Sequence, residues 1–451
     1  MSRPFQFAVA LATLLAAGPA AAFCGFYVSG AEGKLSNSAS HVVLMRSGTR
    51  TVLSMQNDYR GPPEDFALVV PVPEVLEPDQ VKILPDEVFA RVDVTGAPRL
   101  VEYWEVDPCW RDNRIAHLAA GPALEYAGIY VLNQFKVGEY DITILGADDS
   151  TGLSEWLQRN GYKLPPDAAR LLAPYVERGS KFLVAKVDVT KIKLVDGRAV
   201  LSALRIHYDA ETLSLPIRLG MLNADGAQDL IVSVLAREHR YEVANRPNVT
   251  IPTNIVVDAT VRKRFSEFYA ALFDQTLARN PGAWVTEYAW DSDKCDPCPP
   301  GSMTARDYLT LGQDVTGGSN KWVLTRLHGR YSPDDPGEDL VFRQAPPLAG
   351  GRGQPGRDGS FASQGSAPAK VNNFQARYAI LNPYAKRRVR CKRDPPDFGL
   401  WGPAPRSKRK MVSAKGTALA RRGRLKLSRA VREDVASLGL KTRKPHRRRK
   451  R

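Results

Sequence analysis

The chain has 451 residues, 43% of them hydrophobic and 25% charged, which is enough for about two or three ordinary cores and too apolar for a disordered protein. Its formal charge of +16 resembles that of a nucleic-acid binder, but residues 386–451 hold 25 of the 64 Lys and Arg and only 4 of the 48 Asp and Glu. The remaining 39 basic and 44 acidic residues make the body mildly acidic, so the high pI belongs to a tail and gives no ground for specific nucleic-acid recognition.

Residues 1–22 read as a secretory signal peptide. Arg3 starts it, Phe5 to Ala17 is an apolar run too short to span a bilayer, and Ala20-Ala21-Ala22 is a small-residue cleavage site. Cleavage is predicted before Phe23. A lipid anchor on Cys24 is disfavoured because bulky Phe23 precedes it. Nothing downstream approaches 18 uninterrupted apolar residues, so the mature protein is expected to be soluble, and periplasmic or extracellular.

Strand signals dominate the body. His41–Met45 and Thr51–Gln56 flank a Gly48-containing turn and predict a hairpin. Further β-rich runs are Arg99–Glu105, Ile129–Lys136, Tyr140–Leu145, Lys181–Val189, Val200–Tyr208, Asp229–Leu235, Trp284–Trp290, Lys321–Tyr331, Asp339–Phe342 and Asn373–Leu381. Helices are predicted from Ser150 or Thr151 to Asn160, from Pro166 to Glu177 with a stop at Gly179, and over Asp258–Arg279. In the last, Val261, Phe265, Phe268, Tyr269, Leu272, Phe273 and Leu277 recur at helical spacing.

Three segments share one pattern: Leu53–Gln56 with Tyr59, Leu204–His207 with Tyr208, and Thr325–His328 with Tyr331. Each is followed by a polar turn and an apolar return, Phe66–Val70, Leu213–Leu219 and Leu340–Phe342. They read as three copies of a degenerate hairpin. The predicted class is α+β, predominantly antiparallel, with repeated β-hairpin or sandwich-like modules and a few inserted helices. The expected division is a β-rich module over 23–148, a β-rich region with helices over 149–344, a Gly/Pro/Ser-rich linker over 345–371, a return strand and end region over 372–403, and a disordered basic tail over 404–451.

Phe23-Cys24-Gly25-Phe26-Tyr27-Val28, the run from Gly61 to Pro73, Leu215-Pro216-Ile217-Arg218-Leu219-Gly220, Cys295-Asp296-Pro297-Cys298 and Gly337-Glu338-Asp339-Leu340-Val341-Phe342 together resemble the domain of unknown function 2330 family. The resemblance covers about 23–403 and implies an exported bacterial protein. Because the family's activity is uncharacterised, it carries no catalytic residue over. The long basic tail departs from the family pattern, which ends near Trp401.

Five cysteines, Cys24, Cys109, Cys295, Cys298 and Cys391, are disulfide candidates in an exported chain, and the odd count leaves one over. Cys295 and Cys298 have zinc or dithiol spacing, but no second pair completes a zinc site and Pro299-Pro300-Gly301 follows where a redox motif opens a helix. They are expected to lack free thiol, joined to each other or paired elsewhere.

No metal, cofactor or catalytic set is predicted. Gly351-Arg352-Gly353-Gln354-Pro355-Gly356 has the letters of a dinucleotide fingerprint, but not its place between strand and helix. Alternation puts Arg205 with His207 on one face of their strand, and Arg326, His328 and Arg330 on one face of theirs, an electropositive surface for an anionic ligand in one reading and solvated polar residues in the plainer one. Glu64-Asp65 and Glu338-Asp339 are matching acid pairs, read as turn or strand-edge charge.

The preferred reading is a non-enzymatic cell-envelope protein that binds another envelope component, its tail adhering to anionic lipid or other polyanions. The alternative is an exported hydrolase or carbohydrate-active enzyme of non-standard design, for which Asp65, His207 and His328 would have to share a cavity.

Overall fold

The computed structural model describes residues 26–382, apart from 30–35, 38–39, 57–58, 61–65, 105–135, 147–149, 161, 163, 165–167, 189, 196–197, 224–226, 319–320, 333–336, 357–358 and 362–363. The expected signal peptide, Cys24, Cys109, Cys391, Glu64-Asp65, most of the Ile129–Lys136 run and the basic tail lie outside the described residues.

An 11-stranded sheet organises the molecule. The predicted hairpin is present as Ser40–Ser47 and Arg50–Gln56, turning at Gly48 in the left-handed region (φ 59°) that a glycine enters without strain. Ala203–Asp209 and then Val81–Leu84 extend the sheet beyond Arg50–Gln56. On the other side Ser40–Ser47 pairs in parallel with Gln228–Ala236, followed by Val323–Tyr331, Trp284–Asp291, Asn373–Gln375, Leu348–Gly350 and Ser366–Pro368.

Each face of this sheet has its own cover. Val42, Leu44, Leu53, Met55, Leu204, Ile206, Val232 and Leu327 project to one side, onto Phe66, Leu68 and Val70 of a five-stranded sheet and Leu215, Leu340 and Phe342 of a three-stranded one. Val43, Met45, Val52, Leu235 and Leu324 project to the other, onto Val88, Phe89 and Val92 of the Asp86–Gly96 helix and onto Tyr308 and Leu311. Phe268, Leu272 and Phe273 of the Phe265–Arg279 helix cover Val285 in a further cluster. The fold is α+β and mostly antiparallel, a sandwich on one face and helices on the other.

Two expectations need correction. The repeated segments are not hairpins. Their first strands, Arg50–Gln56, Ala203–Asp209 and Val323–Tyr331, all lie in the large sheet, but Phe66–Val72 pairs with Lys181–Val187, while Leu213–Leu215 and Leu340–Ala345 pair with each other. Alternating patterns of this kind describe a strand that crosses between two stacked sheets as well as one that folds back beside its neighbour. Strands of the regions 23–148 and 149–344 lie side by side in the large sheet, so the boundary between them crosses it. The stretch 345–371 is not a loose linker, since Leu348–Gly350 and Ser366–Pro368 extend the sheet and Phe361 is buried with Val101 and Ala379.

Helix boundaries follow local chemistry. Asp258 Oδ1 accepts from Thr260 N at 2.9 Å and caps a short 3-10 turn, Ala259–Lys263; Arg264 (φ −139°, ψ 31°) then breaks the chain before the α-helix Phe265–Arg279 starts. Gly179, at φ 72°, ends the helix Ala168–Glu177 with Ser180 N bonded to Tyr175 O.

Candidate ligand cleft and buried polar network

The speculated Arg/His surface is not a surface. Arg205, His207, Arg326, His328 and Arg330 do share the helix-covered face of the large sheet, where register aligns Arg326, Ser233, Val43, Ser54 and Arg205 in one row. Three strands separate the two groups, and Arg205, His207 and Arg326 are buried. Carboxylates take up the positive charge. Arg205 pairs with Asp314 at 2.5 Å, Arg330 with Asp229 at 2.5 Å and Asp274 at 2.8 Å, and Arg326 with Glu287 at 2.7 Å and Asp93 at 2.6 Å.

Glu287, which sequence reasoning missed, is the centre of this network. Between Thr286 and Tyr288 the register slips by one residue, so Glu287 is an extra residue beside Arg326 and His328. One oxygen meets Arg326 Nε, and the other receives His328 Nδ1 at 2.7 Å and the Tyr269 hydroxyl. Burial opposes the charge, but His328, Arg326 and Tyr269 outweigh it and hold the carboxyl at about 2. His328 stacks flat on Phe273, ring centroids 3.7 Å apart. Nearby, His41 Nε2 lies 2.9 Å from Ser233 Oγ; burial, with Arg326 beside it, holds the imidazole down at about 3 against the pull of Asp93 and Glu287. The arrangement ties two helices to the sheet by charge-assisted hydrogen bonds.

Elsewhere five separated segments line a cleft of about 600 Å³. Pro71 and Pro73 bound it at the end of the Phe66–Val72 strand, and Pro174 and Arg178 at the end of the Ala168–Glu177 helix. Tyr208 and Ser214 come from the edge of the sandwich, and Pro216, Arg218, Glu338 and Asp339 complete it. Ser214 faces this space because its neighbours Leu213 and Leu215 are buried in the core.

Asp339 is not the strand-edge charge expected of it. Its Oδ1 accepts from Tyr175 Oη at 2.7 Å, Ile217 N at 3.0 Å and Arg218 N at 3.3 Å, and Oδ2 pairs with Arg178 at 3.2 Å. Asn245 Nδ2 donates to the Asp339 carbonyl at 2.8 Å, and Arg218 Nε to the carbonyl of Gly337 at 2.8 Å. Burial and the adjoining carboxylate push the Tyr175 phenol up. Asp339 therefore staples the Pro216-Arg218 turn to the helix end and fixes the cleft wall, with its lone pairs spent inside the protein. Proline rings and tyrosines supply apolar walls; Glu177, Arg178, Arg218 and Glu338 put both signs of charge at the rim. Neither His207 nor His328 lines the cleft.

Cys295 and Cys298 are bonded to each other in an exposed loop. No helix among the described residues is long and apolar enough to cross a membrane, and no group of three metal-ligating side chains occurs among them.

No curated protein matches the chain in sequence. Among solved structures, the crystal structure of baculovirus P35 aligns over 46% of this chain and 67% of its own, at 11% identity and a TM-score of 0.26, a likeness too slight to carry an argument. A family model described as an uncharacterized protein conserved in bacteria matches residues 18–343, a span that holds every residue lining the cleft. The chain belongs to this family, domain of unknown function 2330.

Proposed function

We propose that this protein is an exported, non-enzymatic binding module of the bacterial cell envelope, and that the cleft takes an extended peptide segment of another envelope component. One observation carries the reading: three segments that mark the family in the sequence, Pro71-Val72-Pro73, Pro216-Ile217-Arg218 and Glu338-Asp339-Leu340-Val341, meet at one cleft. Its buried carboxylate is occupied by hydrogen bonds that build the wall, leaving apolar rings and rim charges to meet a ligand. Proline and tyrosine walls suit a peptide's side chains, and the rim its main-chain groups. Export is supported by the character of residues 1–22 and by the Cys295–Cys298 bond.

Ser214→Trp fills the cleft without removing a hydrogen bond. Affinity capture from the native envelope with the wild-type mature protein is expected to retain a peptide-bearing partner that S214W, with unchanged melting temperature, fails to retain. An identical captured set from both proteins refutes the cleft as the binding site. The tail, residues 386–451, adds salt-sensitive attachment to anionic lipid or other polyanions. A chain ending at Trp401 is expected to lose binding to anionic vesicles at low salt, and equal binding by both lengths eliminates that role.

A further inference from the structure

Buried and half-buried arginines of this protein differ in how their charge is met. Arg326 and Arg330 each meet two carboxylates, and Arg205 meets one. Among the described residues Arg352 and Arg377 share a single carboxylate, and Arg99 has none. Asp296 lies 3.4 Å from Arg352 and 3.8 Å from Arg377, both loose contacts, and its side chain is 46% exposed. Arg99 forms no ion pair among the described residues; it donates to the carbonyls of Pro297 and Thr95, both at 2.5 Å. All three guanidiniums thus converge on the Asp296-Pro297 dipeptide inside the Cys295–Cys298 loop, three positive charges facing one negative among the described residues.

The surroundings hold these groups ready for an in-plane ligand. Arg352 lies over the Trp290 ring at 3.6 Å and Arg377 over Phe361 at 5.5 Å, so aromatic faces back two of the planes, and Arg352 turns its Nη2 and Arg377 its Nη1 toward Asp296. Arg377 is fixed by Asn254 Oδ1 at 3.0 Å and the Gly353 carbonyl at 2.6 Å. Arg352 is less committed, and its Nη1 has no acceptor. The glycine-rich segment that delivers it is pressed against the sheet: a Cβ on Gly351 would lie 1.7 Å from the Gln375 carbonyl oxygen. Burial lowers the pKa of each of the three, whereas Arg326 and Arg330 are raised because their carboxylates outweigh the same penalty. Uncompensated guanidiniums of this kind are costly unless an anion joins them.

We propose that Arg99, Arg352 and Arg377 form a binding site for a dianionic phosphate group, beside the disulfide loop and separate from the cleft. A dianion balances the excess of two positive charges, and its tetrahedral oxygens accept from guanidinium edges in pairs. The phosphate belongs either to the free ion or to a monoester headgroup. The half-exposed Asp296 marks the open side and competes with the ligand for Arg352.

The test is calorimetric titration of the full-length oxidised protein with inorganic phosphate in a chloride buffer. The expected result is a saturable site of unit stoichiometry, weakened at least tenfold in Arg352→Ala and tightened several-fold in Asp296→Asn. A gain in affinity is an outcome that misfolding does not imitate. The basic tail is common to all three proteins, so its contribution cancels in the comparison. Glycerol 3-phosphate binding more tightly than inorganic phosphate identifies a headgroup, and the reverse order identifies the free ion. Absence of saturable phosphate binding in the wild type, or indistinguishable titrations of the two variants and the wild type, overturns the proposal.

Discussion

His41 is expected to make this fold sensitive to acid well above the range where carboxylates protonate. In the folded protein its imidazole stays neutral down to about 3, whereas the ordinary value is 6.5. Below pH 6.5 the unfolded chain therefore binds a proton that the folded chain refuses, and stability falls as pH falls, continuing until the folded-state value is reached. One such proton is worth about 1.4 kcal/mol per pH unit once the unfolded imidazole is charged, or roughly 2 kcal/mol between pH 6.5 and 4.5. Glu287 adds nothing in that window. Its folded carboxyl is depressed from 4.5 to about 2, so the stability it contributes is full above 4.5 and is lost only on further acidification. His207 is also lowered, by burial and then by Arg205 and Arg50, and steepens the same limb. The assay is urea denaturation at intervals from pH 7.5 to 4.5 for the wild type and for His41→Gln, which keeps a hydrogen-bonding group for Ser233. The variant should be flatter by about one proton's slope, with the His207 contribution remaining. Equal slopes for the two proteins would show that His41 is freely protonated in the fold and that the argument from its surroundings is wrong.

Asp339→Ala strands the Tyr175 hydroxyl and the Ile217 and Arg218 amides, and is expected to cost about 3–5 kcal/mol in denaturant unfolding, against about 1 kcal/mol or less for an exposed carboxylate. Gly351→Ala combines φ 68° with a backbone clash and should cost at least about 3 kcal/mol, while Gly353→Ala, at φ 85° with open space around it, should cost about 1 kcal/mol. Similar losses from the two glycine variants would show that the 345–371 segment is not held against the sheet.

What the sequence made legible depended on whether one local signal decided the structure. The Ser40–Gln56 hairpin and the Phe265–Arg279 helix each had a clean period and a glycine or proline to end them. The Asp86–Gly96 helix was missed because Val88, Val92, Val94 and Thr95 give it the β-branched composition of a strand, although Pro85, Asp86 and Glu87 are the marks of a helix start. Glu287 was hidden by a bulge, which alternation does not encode. The cleft was not legible as a site because it is assembled from turns separated by tens to hundreds of residues, while the motifs themselves were visible one at a time. Alternation grouped Arg205 with His207 and Arg326 with His328, but that the two groups lie on one face of one sheet, and that helices from elsewhere in the chain cover it, depended on pairings between distant strands.

The parallel pairing of Ser40–Ser47 with Gln228–Ala236 has a consequence for how the protein is made. His41 and Ser233 are 192 residues apart yet touch. Until the later strand emerges, the early hairpin offers an unpaired apolar edge, Val42 to Met45, to any other chain nearby. Closing so long a loop is slow relative to local turns and helices. The nascent chain must therefore be kept from pairing wrongly until the later strand has been made, so correct assembly turns on that delay more than on the final stability of the sandwich.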